Sequence, residues 1–243
     1  MSAINDKEIR LARAKLMDVV DQGTFCEMDK NLASGNPLGF AGYEEKLEKA
    51  QKKTGEQEAV ISGYAKIGGI PCVVFILDYQ FMLGSMGSME GEKIVRAFEK
   101  ASRKRLPIIS FSASSGARMQ EGVLSLVQMA KTAGTVYQHS KKRLLYISVI
   151  CDPTLGGVTA SYASLADIII AEDNARFGFT GRRIIEKTIN KPLPVDFQSA
   201  LYAQNKGKVD LIVKPEDLRN KLITLLAFHK KNRGKIWETL KRA

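Results

Sequence analysis

Two adjacent glycines, Gly156 and Gly157, stand where an apolar run gives way to a predicted helix. Glycine lets the backbone reach positive φ and approach a ligand closely. The first N–H groups of a helix lack intrahelical acceptors, and the macrodipole adds partial positive charge there. Such a turn can bind phosphate or stabilise a developing oxyanion. Pro153 rigidifies the approach, and Asp152 is placed to cap or orient the turn. A second turn offers Ser115 and Gly116 as further donors, ahead of Ala117-Arg118-Met119-Gln120-Glu121. Arg118 could hold a phosphate or carboxylate, or pair with Glu121. A third turn runs from Gly84 to Gly91 and includes Gly87. It is neither a G-x-G-x-x-G fingerprint nor a P-loop, so ATP and NAD are poorly supported. One such turn is ordinarily a tight connection. Three in register, each after an apolar strand, point to function.

The missing residue types narrow the chemistry. The two histidines, His139 and His229, fall near predicted helix ends and read as surface or capping residues. No G-x-S-x-G nucleophile motif occurs. Cys26, Cys72 and Cys151 lack metal-ligand spacing and give no disulfide framework, which fits a reducing compartment. Asp78, Glu121, Asp152 and Asp167 could act as acids or bases, although carboxylates at strand ends are more often structural. A reaction carried by oxyanion stabilisation, with the base supplied by a cofactor or partner, fits this inventory.

Elements that would position these turns are readable. Strands 71–79, 107–113 and 145–151 each lead through a glycine-rich turn into helices near 90–104, 122–138 and 157–166. The unit recurs at about 36–38 residues. The strands are nearly continuous apolar runs, as in Ile108, Ile109 and Phe111, which predicts burial on both faces and a layered α/β architecture. Helices are expected at 5–21, 43–54, 182–190 and 216–229. Strands are expected at 59–66, 168–172, 176–179 and 209–213, with a hairpin at Gly68-Gly69. Residues 1–38 read as an N-terminal helix and irregular segment ahead of the main domain, 39–243.

The chain has 243 residues, 37 basic and 26 acidic, with a formal charge of +11. This favours acidic partners. Much of the excess sits at Lys230, Lys231, Arg233, Lys235, Lys241 and Arg242, where basic residues suit a helix end. With no recognition motif beside them, nucleic-acid binding is not expected. No apolar run reaches bilayer-spanning length, and the first residues lack a signal-peptide core. A cytoplasmic protein is expected.

Long strings resemble one family. EKLEKAQKKTGE (45–56), FMLGSMGSMEGEKIVRAFE (81–99), FSASSGARMQEGVLSLVQMAKT (111–132), YISVICDPTLGGVTASYASLADIIIAE (146–172), GFTGRRIIEKTI (178–189) and LPVDFQSA (193–200) are similar to the carboxyltransferase beta subunit of bacterial acetyl-CoA carboxylase. The likeness runs from about Gly39 to Asn220. It implies a crotonase-like (ClpP/crotonase) α/β fold of repeated ββα turns. It also implies pairing with an alpha subunit as α₂β₂, in a complex with biotin carboxylase and a biotin carboxyl carrier protein. The implied reaction moves a carboxyl group from carboxybiotin to acetyl-CoA, giving malonyl-CoA at the first committed step of fatty acid synthesis. Gly156 and Gly157 match the glycine pair whose N–H groups meet the acyl-thioester carbonyl, and biotin nitrogen would take the methyl proton. Arg118, Gly84, Gly87 and Arg183 are expected on the CoA or biotin side.

Three departures stand out. The family's four-cysteine zinc ribbon has no counterpart, so no zinc is expected. Ser115 replaces a glycine of the SGGAR string, which requires a local φ that suits a Cβ. Arg182 replaces a proline in the GPR string. Rival readings are a component of a biotin-dependent acyl-thioester decarboxylase, a non-catalytic scaffold for the alpha subunit or carrier, and a stand-alone crotonase-type hydratase or isomerase.

Overall fold

The computed structural model describes residues 12–229; the basic cluster from Lys230 onward and the start of the first predicted helix lie outside them. The elements are α1 (Ala12–Val19), β1 (Cys26–Met28), α2 (Tyr43–Thr54), β2 (Val60–Ile67), β3 (Ile70–Leu77), α3 (Ser88–Lys104), β4 (Ile108–Ser114), α4 (Gly122–Lys141), β5 (Tyr146–Thr154), α5 (Gly156–Thr159), β6 (Ile168–Glu172), α6 (Arg182–Ile189), α7 (Ala200–Asn205) and β7 (Leu211–Val213). A final helix, α8, covers 218–229.

The strands form one seven-stranded sheet in chain order, β1 to β7. β1, β2 and β3 pair antiparallel, with Gly68 and Gly69 supplying the positive φ of the β2–β3 hairpin. β3 to β7 pair parallel. The carboxyl ends of β3, β4 and β5 therefore share one edge, and the three glycine-rich turns gather there, where ligands of parallel sheets bind.

Both sheet faces are covered, which explains the uninterrupted apolar runs. Beneath α3 and α4, Phe75, Phe98, Tyr146 and Tyr162 are buried, with Phe98 edge-on to Tyr146 at 4.9 Å and Phe75 edge-on to Tyr162 at 5.5 Å. Such pairs contribute about 1 kcal/mol beyond area burial. On the opposite face Leu16, Val19, Val74, Val149, Leu222 and Leu226 join α1 and α8 to the sheet. α1 and β1, ahead of residue 39, thus share the sheet and core of the remainder.

Three local expectations change. Residues 176–179 are not a full strand: they make two isolated bridges, Thr154 to Phe177 and Arg176 to Ser199. The helix expected over 157–166 stops at Thr159 and resumes as one 3₁₀ turn, Tyr162–Ser164. Hydroxyls account for the break, since Thr159 Oγ1 donates to Thr154 O, Ser161 Oγ to Gly157 O and Ser164 Oγ to Thr159 O. His139 is fully buried rather than at the surface. Its Nδ1 lies 2.8 Å from Ser102 Oγ and its Nε2 3.3 Å from Leu145 O, because the last turn of α4 folds directly back under β5.

Candidate functional site

The three turns meet but do not offer equal donors. In the turn before α3, every backbone donor from Gly84 to Ser88 is taken. Gly84 donates to Phe81 O, Ser85 to Met82 O and Met86 to Gly116 O. Gly87 donates to Glu90 Oε2 at 3.0 Å and Ser88 to Glu121 Oε2 at 2.6 Å. Two buried carboxylates therefore occupy the α3 N-terminus that an external phosphate would need. Gly84 and Gly87 are glycines for closeness. A Cβ on Gly84, at φ 58°, would sit 2.0 Å from Ala113 O, and one on Gly87 would sit 2.5 Å from Glu121 Oε1. The expected place of Gly84 and Gly87 on the CoA or biotin side has no free donor behind it.

Arg118 also turns inward. It is fully buried and ion-pairs with Glu58 at 3.1 Å and with Glu90. It does not pair directly with Glu121. Instead Tyr43 OH accepts from Arg118 Nη1 at 3.1 Å and donates to Glu121 Oε1 at 2.7 Å. The tyrosine hydroxyl is pushed up to about 12, chiefly by burial and against the pull of Arg118. The guanidinium expected to meet CoA or biotin is occupied by the protein's own carboxylates.

The open donors lie between the other two turns. Ser115 N–H goes to Leu83 O and Gly116 N–H to Ser114 Oγ at 3.0 Å, so neither of these expected donors is free. Ala117, between them and Arg118, forms a parallel bridge to Met86. Gly116 O and Arg118 N–H face Met86, so the N–H of Ala117 points the other way. On the facing turn Gly156 N–H donates to Phe179 O at 2.8 Å, which removes it from the expected pair. Gly157 N–H follows in the first turn of α5. Among the described residues neither Ala117 N–H nor Gly157 N–H has an acceptor. The two turns are in close contact: a Cβ on Gly157 would lie 3.5 Å from Ala117 N, and one on Gly116 would lie 3.2 Å from Gly157 N.

Gly156 has the conformational role. Its φ is 59°, and a Cβ there would lie 2.9 Å from Gly116 Cα. Ser115 is not among the residues at positive φ, so the serine fits where the family has glycine. Asp152 does not cap α5; it takes Arg176 through its backbone N–H at 3.0 Å and its guanidinium at 2.8 and 2.9 Å. That clamp fixes the segment that carries Phe177 and Phe179 alongside the turn.

Arg182 closes α6 onto the following loop, bonding Glu186 at 2.9 Å, Val195 O at 3.2 Å and Leu193 O. Arg183 is exposed and lines a shallow cleft of about 490 Å³ with Lys187 and Lys191. Sequence reasoning missed Ala117. Alanine carries no chemical signal, and only the bridge to Met86 marks its N–H as open.

The fold and site define a class: a crotonase-like sheet edge where two open backbone donors stand on adjoining turns. Comparisons agree with it. The carboxyl transferase domain family matches residues 18–205. Acetyl-coenzyme A carboxylase carboxyl transferase subunit beta of Desulforamulus reducens is 50% identical over 221 residues, covering 91% of this chain and 77% of that protein. The subunit beta of Alkaliphilus oremlandii is 51% identical, covering 90% and 80%. The beta/alpha protein of Clostridium tetani is 51% identical, but the match spans 38% of its length. Transcarboxylase 12S shares the fold at a TM-score of 0.79 and 24% identity, covering 90% of this chain and 41% of that one. A Pseudomonas malonate decarboxylase hetero-tetramer chain does so at 0.73 and 20%, covering 90% and 82%. The chain belongs to the family of acetyl-coenzyme A carboxylase carboxyl transferase beta subunits.

Proposed function

We propose that this chain is the acyl-thioester half of the carboxyltransferase of acetyl-CoA carboxylase, and that Ala117 and Gly157 N–H groups together hold the thioester oxygen of acetyl-CoA. The carrying observation is that, among the described residues, these two donors are both without acceptors and lie on turns in close contact at the carboxyl edge of the sheet. Removing the α-proton of a thioester builds charge on that oxygen. Preorganised N–H donors stabilise it, each by roughly 3 kcal/mol. Carboxybiotin on a carrier protein would supply the carboxyl group and the nitrogen that takes the proton. The protein's own part is to bind, orient and hold charge, consistent with glycines crowded by backbone and Met129 rather than by a titratable side chain.

The alpha subunit would complete the site. The outer face of α4 supports this: Val123, Leu126, Val127 and Tyr137 are exposed at helical spacing, and Met129 on the same helix packs on Gly157. Exposed Met119 and Phe179 continue the apolar surface at the turn ends. Among the described residues no helix is long and apolar enough to cross a membrane. The deciding experiment combines the purified chain with an alpha subunit and follows carboxyl transfer between malonyl-CoA and biotin. Transfer that requires both chains is expected. Enoyl-CoA hydration by this chain alone, with no biotin-dependent transfer, would overturn the reading.

A further inference from the structure

We propose that Arg118 is the positioning residue for the Ala117 N–H donor. The inference rests on the carboxyltransferase reading, in which Ala117 meets the thioester oxygen. Ala117 N–H is aimed by the two bonds of its bridge: Met86 N–H to Gly116 O at 2.8 Å and Arg118 N–H to Met86 O at 2.9 Å. Both converge on Met86, so any shift of Met86 turns the donor. Arg118 grips the residue before it, Ser85, twice: Nε donates to Ser85 Oγ at 3.2 Å and Nη2 to Ser85 O at 2.9 Å. One residue therefore fixes both partners of the bridge, its own backbone on one side and Ser85-Met86 on the other.

The rest of the guanidinium anchors this grip to four further residues. Nη2 reaches Glu58 and Glu90, and Nη1 reaches Ser34 Oγ and Tyr43 OH. Tyr43 passes the link to Glu121, whose other oxygen holds Ser88 N–H. Segments 84–88 and 115–121 are thus locked to each other, to α2 and to the strand entry at Glu58. A planar fork of five N–H donors on three nitrogens spans these contacts, with acceptors shared at Nη2; an ammonium, with three donors on one nitrogen, cannot.

Fold stability alone does not account for such an arrangement. A buried ion cluster is often no more stable than an apolar replacement of equal volume. What it fixes is geometry, and a misplacement of about 1 Å at a reacting centre costs roughly a hundredfold in rate.

The test uses the reconstituted complex with the alpha subunit, comparing wild type, Arg118→Lys, Tyr43→Phe and Leu222→Ala. Leu222 lies in the core of the opposite sheet face and serves as a destabilised control. Arg118→Lys is expected to lower kcat for malonyl-CoA and biotin by about 10- to 100-fold with KM unchanged. Tyr43→Phe, which keeps the ion pairs of Arg118 with Glu58 and Glu90 and removes the hydroxyl link to Glu121, is expected to lower kcat in the same sense by less, again without a change in KM. Leu222→Ala should lower Tm and leave kcat alone. Should Arg118→Lys fail to fold, Tyr43→Phe decides. Wild-type kcat in a folded Arg118→Lys or Tyr43→Phe complex would overturn the proposal. So would a kcat loss that Leu222→Ala reproduces at the same Tm. An inactive wild-type complex would instead remove the carboxyltransferase reading on which the proposal stands.

Discussion

The turn before α3 and the turn before α5 look alike in sequence and behave oppositely in the structure. Each follows a buried parallel strand, each contains paired or spaced glycines, and each opens a helix. In the first, Glu90 and Glu121 take the helix-entry donors, and glycine serves only to let backbone and carboxylate come close. In the second, one glycine bends the chain and the next leaves its N–H open. A glycine-rich helix entry therefore reports close approach. Whether the approaching partner is an external anion or an internal carboxylate is settled by what the neighbouring segment places there.

This contrast can be broken at either turn. Gly157→Pro removes the open donor at a first-turn position where proline is tolerated. Carboxyl transfer by the reconstituted complex should fall by about 100-fold or more, with Tm nearly unchanged. Gly157→Ala keeps the N–H and adds a Cβ 3.1 Å from the flexible Met129 Sδ, so it should cost far less. Equal losses in the two variants would show that packing, not the donor, matters there. The mirror experiment is Gly84→Ala. A Cβ at φ 58° and 2.0 Å from Ala113 O must force backbone apart, and a loss of about 3 kcal/mol in denaturant unfolding is expected. Activity per folded molecule should suffer less than in Gly157→Pro.

Smaller effects sharpen the boundary between site and scaffold. Leu126→Glu puts a charge on the exposed apolar face of α4. Co-purification with the alpha subunit should weaken at least tenfold while the isolated chain keeps its Tm; an unchanged complex would place the alpha subunit elsewhere. The smallest effect concerns the helix behind the closed turn. Asp29 meets Lys100 at 2.6 Å and Arg96 at 3.3 Å on α3. Burial opposes its charge, but these two cations outweigh it and hold its carboxyl below the usual range. A depressed folded-state value means the contribution is present above about pH 4 and is lost as pH falls through the lower folded value. Asp29→Asn should flatten that acid limb by no more than about 1 kcal/mol, the pair being partly exposed. An unchanged limb in urea titrations between pH 5 and 2 would assign the acid dependence to other carboxylates.

Some of this was legible before any coordinates. Continuous runs such as Ile108 to Phe111 identified strands covered on both faces, and Gly156-Gly157 marked a turn in which the structure leaves a backbone donor open. The expectation failed in detail where a distant residue, or a local hydroxyl bond with no periodic signal, decided the matter. Arg118 reads as a ligand for anions until Glu58 and Glu90 arrive from other elements. His139 reads as a cap until Ser102 and Leu145 enclose it. Residues 157–166 read as one helix because hydroxyl bonds back to Thr154, Gly157 and Thr159 leave no periodic signal.

The sequence by itself determined the layered α/β class, the succession of strand–turn–helix units and the family, because apolar continuity, turn residues and long matching strings are properties of neighbours along the chain. Only the tertiary structure decided which backbone donors remain open. An N–H is free or occupied according to the acceptor folded against it, and Phe179, Leu83, Ser114 and Met86 assign that state to Gly156, Ser115, Gly116 and Ala117 from both near and far along the chain.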